Sequence, residues 1–287
     1  MPATKSPLRY PGGKTQLAKY INDVIESNFR TTPVYIEPFA GGAGIALSLL
    51  LKNKAQEIVI NDYDPSIYLM WYSLLNFTND FNRLIINSKL DIDEWYRQQE
   101  IQQNPSNYTE FEIGFSTFYL NRTNRSGIIK AGPIGGKSQA GIYKLDCRFN
   151  KENLVKKVNA ISAEKQRIKL HNLDALELIE LYFSRNEAAE NYFTFFDPPY
   201  FKKGPGLYTN FYDYEDHLSL ANLIKSYSSH KWIVTYDDCI EIQEMYKGLT
   251  NHNYSLNYSL STKKKTSELI IYSNEITLPT SNNIFFV

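Results

Sequence analysis

Between residues 34 and 62 the chain reads as one folding unit. Val34-Tyr35-Ile36-Glu37-Pro38-Phe39 is a short apolar run, and Gly41, Gly42 and Gly44 follow at once. Ile45 to Leu51 is apolar with helical character, and Glu57-Ile58-Val59-Ile60 is a second apolar run closed by Asn61-Asp62-Tyr63-Asp64-Pro65. Strand, glycine turn, helix, strand and acidic end make a βαβ opening. Strands joined through a helix run parallel, and parallel sheets are covered on both faces. The expectation is therefore an α/β fold. A glycine turn after a strand lets a ligand approach the backbone and presents the N–H groups of the next helix. Asp62 lies 21 residues after Gly41, near the offset at which a carboxylate takes ribose hydroxyls. A nucleoside cofactor is expected, either a dinucleotide or S-adenosylmethionine. The turn fits the dinucleotide pattern Gly-x-Gly-x-x-Gly poorly.

The α/β pattern continues after a break. Ile67 to Leu75 reads as a helix, Leu154 to Glu164 as another, and Ile168 to Leu170 as a strand. Leu173 to Tyr182 and Asp216 to Tyr227 read as helices, and Tyr192–Phe196, Trp232–Tyr236 and Glu268–Tyr272 as strands. Between these parts the charge reverses. Residues 80–112 carry 7 acidic and 3 basic side chains, whereas 117–151 carry seven basic side chains and only Asp146 acidic. Glycines 127, 132, 135, 136 and 141 argue for loops or a hairpin there. Residues 76–150 are therefore read as an inserted domain, with 1–75 and 151–287 forming the main one. The net charge of zero does not argue against nucleic acid, because a local patch is enough. The 22 Tyr and 16 Phe read first as core and surface packing. Two cysteines, Cys147 and Cys239, make neither a disulfide framework nor a zinc site, and no metal is expected. No apolar run reaches the ~18 residues of a membrane span, and no signal-peptide core opens the chain. A cytoplasmic protein with no membrane partner is expected.

Several chemical motifs are excluded. Gly13-Lys14-Thr15 and Gly136-Lys137-Ser138 resemble the end of a phosphate-binding loop, but the required earlier glycine is Leu8 in one and Ala131 in the other. Neither a His-Glu-x-x-His zinc motif nor a Gly-x-Ser-x-Gly elbow is present. What remains is Asp197-Pro198-Pro199-Tyr200, directly after the apolar run Tyr192–Phe196. Ligands of open α/β sheets bind at the carboxyl ends of strands. Two prolines stiffen the loop and remove two N–H donors. A carboxylate, bare carbonyls and an aromatic face are left, a set that accepts hydrogen bonds from an amino group and stacks on a planar base.

These motifs together resemble the D12 class of N6-adenine DNA methyltransferases, the Dam-type group. The resemblance rests on Asp197-Pro198-Pro199-Tyr200, the Phe39-x-Gly41 turn and Ser6-Pro7-Leu8-Arg9-Tyr10-Pro11-Gly12-Gly13-Lys14. It extends to Tyr119-Leu120-Asn121-Arg122-Thr123-Asn124-Arg125-Ser126-Gly127 and to Lys265-Thr266-Ser267-Glu268-Leu269-Ile270-Ile271-Tyr272, the family's last strand. The order is also the family's: cofactor motif, recognition insert, catalytic motif. The resemblance implies a Rossmann-like S-adenosylmethionine-dependent methyltransferase fold with an inserted DNA-recognition domain. It implies methyl transfer to N6 of an adenine flipped out of double-stranded DNA.

By the same resemblance, Tyr10, Lys14, Phe39, Gly41 and Gly44 hold the methionine end of S-adenosylmethionine and Asp62 its ribose. Asp174 is expected either at the cofactor's adenine or as a helix cap. Asp197 belongs to both the cofactor and the catalytic sets. With the Pro198 carbonyl it accepts hydrogen bonds from the target amino group, while Tyr200 stacks on the base. Arg122, Asn124, Arg125, Lys130 and Lys137 are the expected DNA contacts. Tyr208, Phe211 and Tyr212 are candidates for the base pocket and Lys263–Lys265 for the DNA backbone. The segment lacks the Asn-Gly pairing and aromatic spacing of GATC-specific members, so GATC is not carried over as the target. The setting is left open among restriction–modification, phage and orphan roles, with room for a cognate restriction endonuclease. A monomer is favoured.

Other readings make different demands. RNA-adenine and glutamine-amide methyltransferases use related motifs, often with Asn at the position of Asp197, and cytosine-N4 enzymes more typically have Ser there. A silent DNA-binding module has no chemical need for Asp62, Asp197 and Tyr200 together. A dinucleotide oxidoreductase leaves Asp-Pro-Pro-Tyr unexplained.

Overall fold

The computed structural model describes residues 4–9, 14–184, 188–202, 212–256 and 266–279. The chain forms two compact units, one of residues 3–13 with 64–166 and the other of 14–63 with 167–287.

The larger unit holds a seven-stranded sheet. Its strands are β1 (Val34–Glu37), β2 (Glu57–Asn61), β3 (Ile168–His171), β4 (Tyr192–Phe196), β5 (Lys231–Asp237), β6 (Asn251–Leu256) and β7 (Thr266–Tyr272). The order across the sheet is β3-β2-β1-β4-β5-β7-β6. β3, β2, β1, β4 and β5 run parallel, and β7 is antiparallel to both β5 and β6. The expected α/β class is therefore present. The chain builds outward from β1 to β3 on one side, then starts again at β4 on the other. That reversal is the switch point at which such sheets bind ligands. β6 was not expected from the sequence: Asn-His-Asn-Tyr-Ser-Leu carries few apolar residues, and its pairing with β7 supplies the backbone partners.

Helices α1 (Ala18–Asn28) and α2 (Gly44–Leu50) belong to this unit. Ile36, Val59, Phe196, Val234 and Ile271 of the sheet share one core with residues from its later helices. The helices of the other unit are α3 (Pro65–Asn76), α4 (Thr78–Asn87), α5 (Ile92–Gln103), α6 (Glu110–Thr123) and α7 (Lys151–Ala163). The larger unit resumes with α8 (Ala175–Phe183), α9 (Ala188–Asn191), α10 (Tyr214–Ser226) and α11 (Ile240–Met245).

The smaller unit is helical, and its helix starts are written in the sequence. Asp64 caps α3 with Pro65 at the first position, Asp91 caps α5, and Thr109 with Glu112 forms a capping box on α6. Phe81 packs edge-on against Phe111, Phe115 and Phe118, and Phe118 meets Phe149 in the same way. Much of the aromatic excess is thus core. Gly114 is required on α6, because a Cβ there would fall 2.3 Å from the Leu69 carbonyl oxygen of α3. The unit reaches beyond 76–150 at both ends, since α3 packs on α6 and α7 on α4. It also takes in the N-terminal segment. The Asn121 side chain accepts from the Arg9 N–H at 2.7 Å and donates to the carbonyls of Arg9 and Gly127, both at 2.8 Å. Of the loops or hairpin expected within 117–151, the structure has loops. Residues up to Thr123 are helix, and beyond them one isolated bridge, Asn124 with Pro133, joins loops and short 3-10 turns. Among the described residues no helix is long and apolar enough to cross a membrane.

Candidate active site

In the larger unit the strand ends converge on one group of side chains. After β1 the chain turns through Gly41, at φ 46°, and Ala43, at φ 47°, before α2 begins at Gly44. Gly41 adopts this left-handed backbone without a Cβ penalty. Its N–H donates to Asp62 Oδ2 at 2.8 Å, so the carboxylate at the end of β2 closes the glycine turn. Asn61, fully buried, staples three strand ends together. Its Nδ2 donates to the Pro38 and Leu173 carbonyls at 2.9 and 3.0 Å, and its Oδ1 accepts from the Leu173 N–H at 2.9 Å. Asp174, beyond β3, caps α8 by accepting from the Leu176 N–H at 2.8 Å. That is one of its two expected roles. Phe39 sits half-buried, edge-on to Tyr212 with ring centroids 5.7 Å apart.

Glu37 ends β1 and is buried. Its Oε1 accepts from the Tyr35 hydroxyl at 2.9 Å and the Ala46 N–H of α2 at 3.1 Å. Burial pushes its carboxyl up to about 8 against these two hydrogen bonds, and the charge of Asp197 adds to the rise. Near neutral pH it is an uncharged acid.

Asp197 follows β4, and its side chain keeps 25% of its surface exposed. The Thr235 hydroxyl of β5 donates to Oδ1 at 2.8 Å, and Lys14 Nζ lies 3.5 Å from the same oxygen. Burial raises its pKa above the ordinary value. Lys14 and the Thr235 hydrogen bond work against that rise, and Glu268 adds to it. The prolines leave Tyr200 turned inward at 7% exposure. Its hydroxyl donates to Glu268 Oε2 at 2.7 Å and accepts from Lys14, whose ammonium also stands 4.5 Å from the ring centroid. Tyr200 is thus an anchored wall here rather than an open stacking platform. Asp237, at the end of β5, fixes the next turn by accepting from the N–H groups of Phe201 and Lys202 at 2.9 and 2.8 Å.

The larger unit therefore gathers Lys14, Phe39, Gly41, Gly44, Asp62, Asp174, Asp197, Pro198 and Tyr200 at the strand ends. Lys14 sits in a short 3-10 turn and is paired with Glu268 at 3.0 Å, not held free for a ligand carboxylate. Tyr10, Tyr208, Phe211 and Lys263–Lys265 lie outside the described residues. Sequence reasoning assigned no role to Glu37, Asn61, Thr235, Asp237, Tyr254 or Glu268. Glu37 and Glu268 carried a usable signal, since a carboxylate inside an otherwise apolar strand must have a partner when buried.

The expected DNA contacts all lie in the smaller unit, where they divide. Arg125, Lys130 and Lys137 are exposed. Asn124 is fully buried. Its Oδ1 accepts from Trp95 Nε1 at 2.6 Å, and both of its N–H donors are engaged by the Ile128 and Ile129 carbonyls. It is a loop clamp with no donor left for a base edge. Arg122 is drawn inward as well, donating to the Arg148 and Pro7 carbonyls. Burial first, then Arg9 and Arg148, push its guanidinium down to about 10. Ile142 and Tyr143, 95% and 69% exposed beside Lys144, form an apolar tip on this basic segment.

Comparison with known proteins decides the class. Residues 10–264 match the model of the D12 class N6 adenine-specific DNA methyltransferases. The chain belongs to that family. The methyltransferase is 27% identical over 209 residues to the type II methyltransferase M.MjaIII of Methanocaldococcus jannaschii, covering 67% of this chain and 68% of that protein. It is 21% identical over 282 residues to the type II methyltransferase M1.LlaDCHI of Lactococcus lactis subsp. cremoris, covering 92% and 93%. Among solved structures, an rRNA methyltransferase, aviRa, from Streptomyces viridochromogenes aligns with a TM-score of 0.41 at 12% identity, over 93% of this chain and 87% of that one. The fold assignment rests on the strand order rather than on that superposition. The enzyme is an adenine-specific DNA methyltransferase, and S-adenosylmethionine is its methyl donor.

The strand ends suit that donor. Gly41 and Gly44 leave backbone bare at the first turn, and the Asp62 carboxylate stands at its mouth.

Proposed function

We propose that Asp197 receives the target adenine and that the enzyme transfers the methyl group directly, with no covalent intermediate. The observation that carries this reading is the Asp197 carboxylate, fixed at a strand end by Thr235 yet still a quarter exposed. The adenine amino nitrogen is a weak nucleophile because its lone pair is conjugated with the ring. Hydrogen bonds from N6–H to Asp197 and to the Pro198 carbonyl would favour a pyramidal nitrogen and release that lone pair. Bound S-adenosylmethionine would supply a methyl group on a positively charged sulfur, the S–CH3 bond breaking as the N–CH3 bond forms and a neutral thioether leaving with the electron pair. Asp197 places negative charge beside a nitrogen that gains positive charge as the new bond forms. The amino proton leaves afterwards to solvent, since the methylated ammonium is strongly acidic. Positioning supplies much of the acceleration. Tyr200 would form one wall of the base site. Asp62 and the Gly41–Gly44 turn would hold the cofactor, with Lys14, Phe39 and Asp174 nearby.

We assign DNA docking to the basic segment, through Arg125, Lys130 and Lys137, on the strength of their exposure and charge. We infer a cytoplasmic location, where an enzyme of this kind would meet its DNA. The naming of both relatives as type II methyltransferases supports a restriction–modification setting with a cognate endonuclease.

The test is methylation of mixed-sequence duplex DNA followed by nucleoside mass spectrometry and motif mapping. N6-methyladenine confined to one short motif, and absent with Asp197→Ala, is expected. Normal turnover by Asp197→Ala would sink the role given to that carboxylate.

A further inference from the structure

The group behind Tyr200 is more elaborate than anchoring a loop requires. Glu268 lies in β7 and is 1% exposed. It lies opposite Asp237 of β5 and opposite Tyr254 of β6 in the two antiparallel ladders. One oxygen, Oε2, accepts from Lys14 Nζ at 3.0 Å, from the Tyr200 hydroxyl at 2.7 Å and from the Tyr254 hydroxyl at 2.8 Å. Lys14 in turn stands between two carboxylates, 3.0 Å from Glu268 and 3.5 Å from Asp197. Its ammonium is almost wholly withdrawn from water, so the surrounding solvent screens it little.

We propose that Glu268 is a positioning residue for methyl transfer, one that neutralises Lys14 so that the negative charge of Asp197 stays directed at the reacting amine. This rests on the role given to Asp197 above. The buried ammonium already pairs with Asp197 at 3.5 Å, and without Glu268 to share it that pair would cancel the carboxylate's field at the nitrogen. The site would then offer no net negative charge to a cationic methyl donor. With Glu268 in place, Lys14 and Glu268 cancel and one negative charge remains, on Asp197. The same Oε2 holds the Tyr200 hydroxyl, so the loop wall and the charge balance are set by one atom.

Shape and charge can be separated by two substitutions. Glu268→Gln keeps the side chain's size and a carbonyl acceptor but removes the charge. Glu268→Asp keeps the charge but shortens the reach. A charge role predicts that Glu268→Gln loses kcat by about 100-fold, the scale of a misplaced catalytic group, and that Glu268→Asp retains more activity. A packing role predicts the opposite order. The pH profile gives a second readout. The charged or titratable groups facing Asp197 are Lys14, Glu268, Glu37 and Tyr35. Glu268 raises the Asp197 pKa, so removing its charge moves the acidic limb of kcat to lower pH while the plateau falls. A Glu268→Gln enzyme with wild-type kcat and an unmoved limb overturns the proposal. Should that variant fail to fold, Tyr254→Phe removes one of the three donors to Oε2. A few-fold loss of kcat at unchanged KM for DNA then supports the proposal, and unchanged kcat overturns it. Asp197→Ala, assayed in parallel, keeps the two readings apart. If it stays active, the Asp197 reading has failed. If it is inactive while Glu268→Gln is normal, only the Glu268 assignment has failed.

Discussion

Asn61 gives the sharpest test of how the strand ends hold the cofactor side of the site. Its amide makes three hydrogen bonds, to the Pro38 carbonyl and to both backbone groups of Leu173, in a fully buried position. Asn61→Ala removes all three and leaves two carbonyls and one N–H short of a partner. At a net ~1 kcal/mol for each bond the loss is about 3 kcal/mol, and the orphaned groups push it higher. Asn61→Asp is nearly isosteric and still accepts from the Leu173 N–H. Its other oxygen, however, faces two carbonyl oxygens where two N–H donors had been. The new carboxyl must protonate to fit, so its pKa in the fold lies above its unfolded value near ~3.9. The stability of that variant is therefore greatest below the unfolded value and falls as pH rises toward the folded one. The assay is hydrogen–deuterium exchange of the β1 and β4 amides, which reads the opening free energy of the sheet unit directly. Exchange about 100-fold faster in Asn61→Ala is expected, since ~1.4 kcal/mol is tenfold. Affinity for S-adenosylmethionine is expected to weaken as the Pro38 and Leu173 turns loosen. A change under about 1 kcal/mol in both variants, with cofactor affinity intact, would refute the stapling argument.

Three further outcomes follow from the geometry. Thr235→Val removes a hydrogen bond that lowers the Asp197 pKa, so the folded pKa rises and kcat is lost at a higher pH as the solution is acidified; an unmoved acidic limb in a pH–rate profile would contradict it. Glu37, held neutral with a pKa of about 8 against 4.5 in the unfolded chain, contributes stability that is full below about 4.5 and is lost as pH rises to about 8. Glu37→Gln should flatten that slope in denaturation measured from pH 5 to 9, and the wild-type slope persisting would show the assignment wrong. Asn124→Ala should destabilise the smaller unit and orphan Trp95 Nε1 while leaving the salt dependence of DNA binding unchanged, whereas Lys130→Ala or Lys137→Ala should each reduce the log–log salt slope by about 0.9 if the residue meets a phosphate.

The parts of the molecule readable from sequence were those set by local pattern. β4 runs Tyr192–Phe196 as expected, because a five-residue apolar run before Pro-Pro has few other ways to fold. The Gly41 turn and Asp62 were legible for the same reason: a positive φ and a strand-end carboxylate both leave marks in residue type. The helices between 78 and 123 were less visible. α5 is polar on most of its surface, and its identity comes from capping and from packing on α6. Asn124 shows the opposite failure. Its residue type suits adenine recognition, but Trp95 is 29 positions away in sequence, and nothing local announces that the two are bonded. Glu268 and Lys14 are separated by 254 positions, so nothing local in the sequence announces their pairing.

That separation has a consequence for how the active centre is charged. Glu37 and Asp197 end neighbouring parallel strands, and the field of one raises the pKa of the other. Two like charges so close to the switch point would resist ionising together. The fold resolves this by giving them different partners. Glu37 meets only neutral donors, Tyr35 and the Ala46 N–H, and stays protonated. Asp197 meets Thr235 and Lys14 and keeps an exposed face. The negative charge is thereby confined to Asp197, the carboxylate with an exposed face. Lys14 alone would cancel it, and the third carboxylate, Glu268, is placed where it answers Lys14 at the shorter distance, 3.0 against 3.5 Å. One neutral ion pair, Lys14 with Glu268, and one protonated acid, Glu37, around one unbalanced carboxylate suit a cationic donor and an amine gaining positive charge.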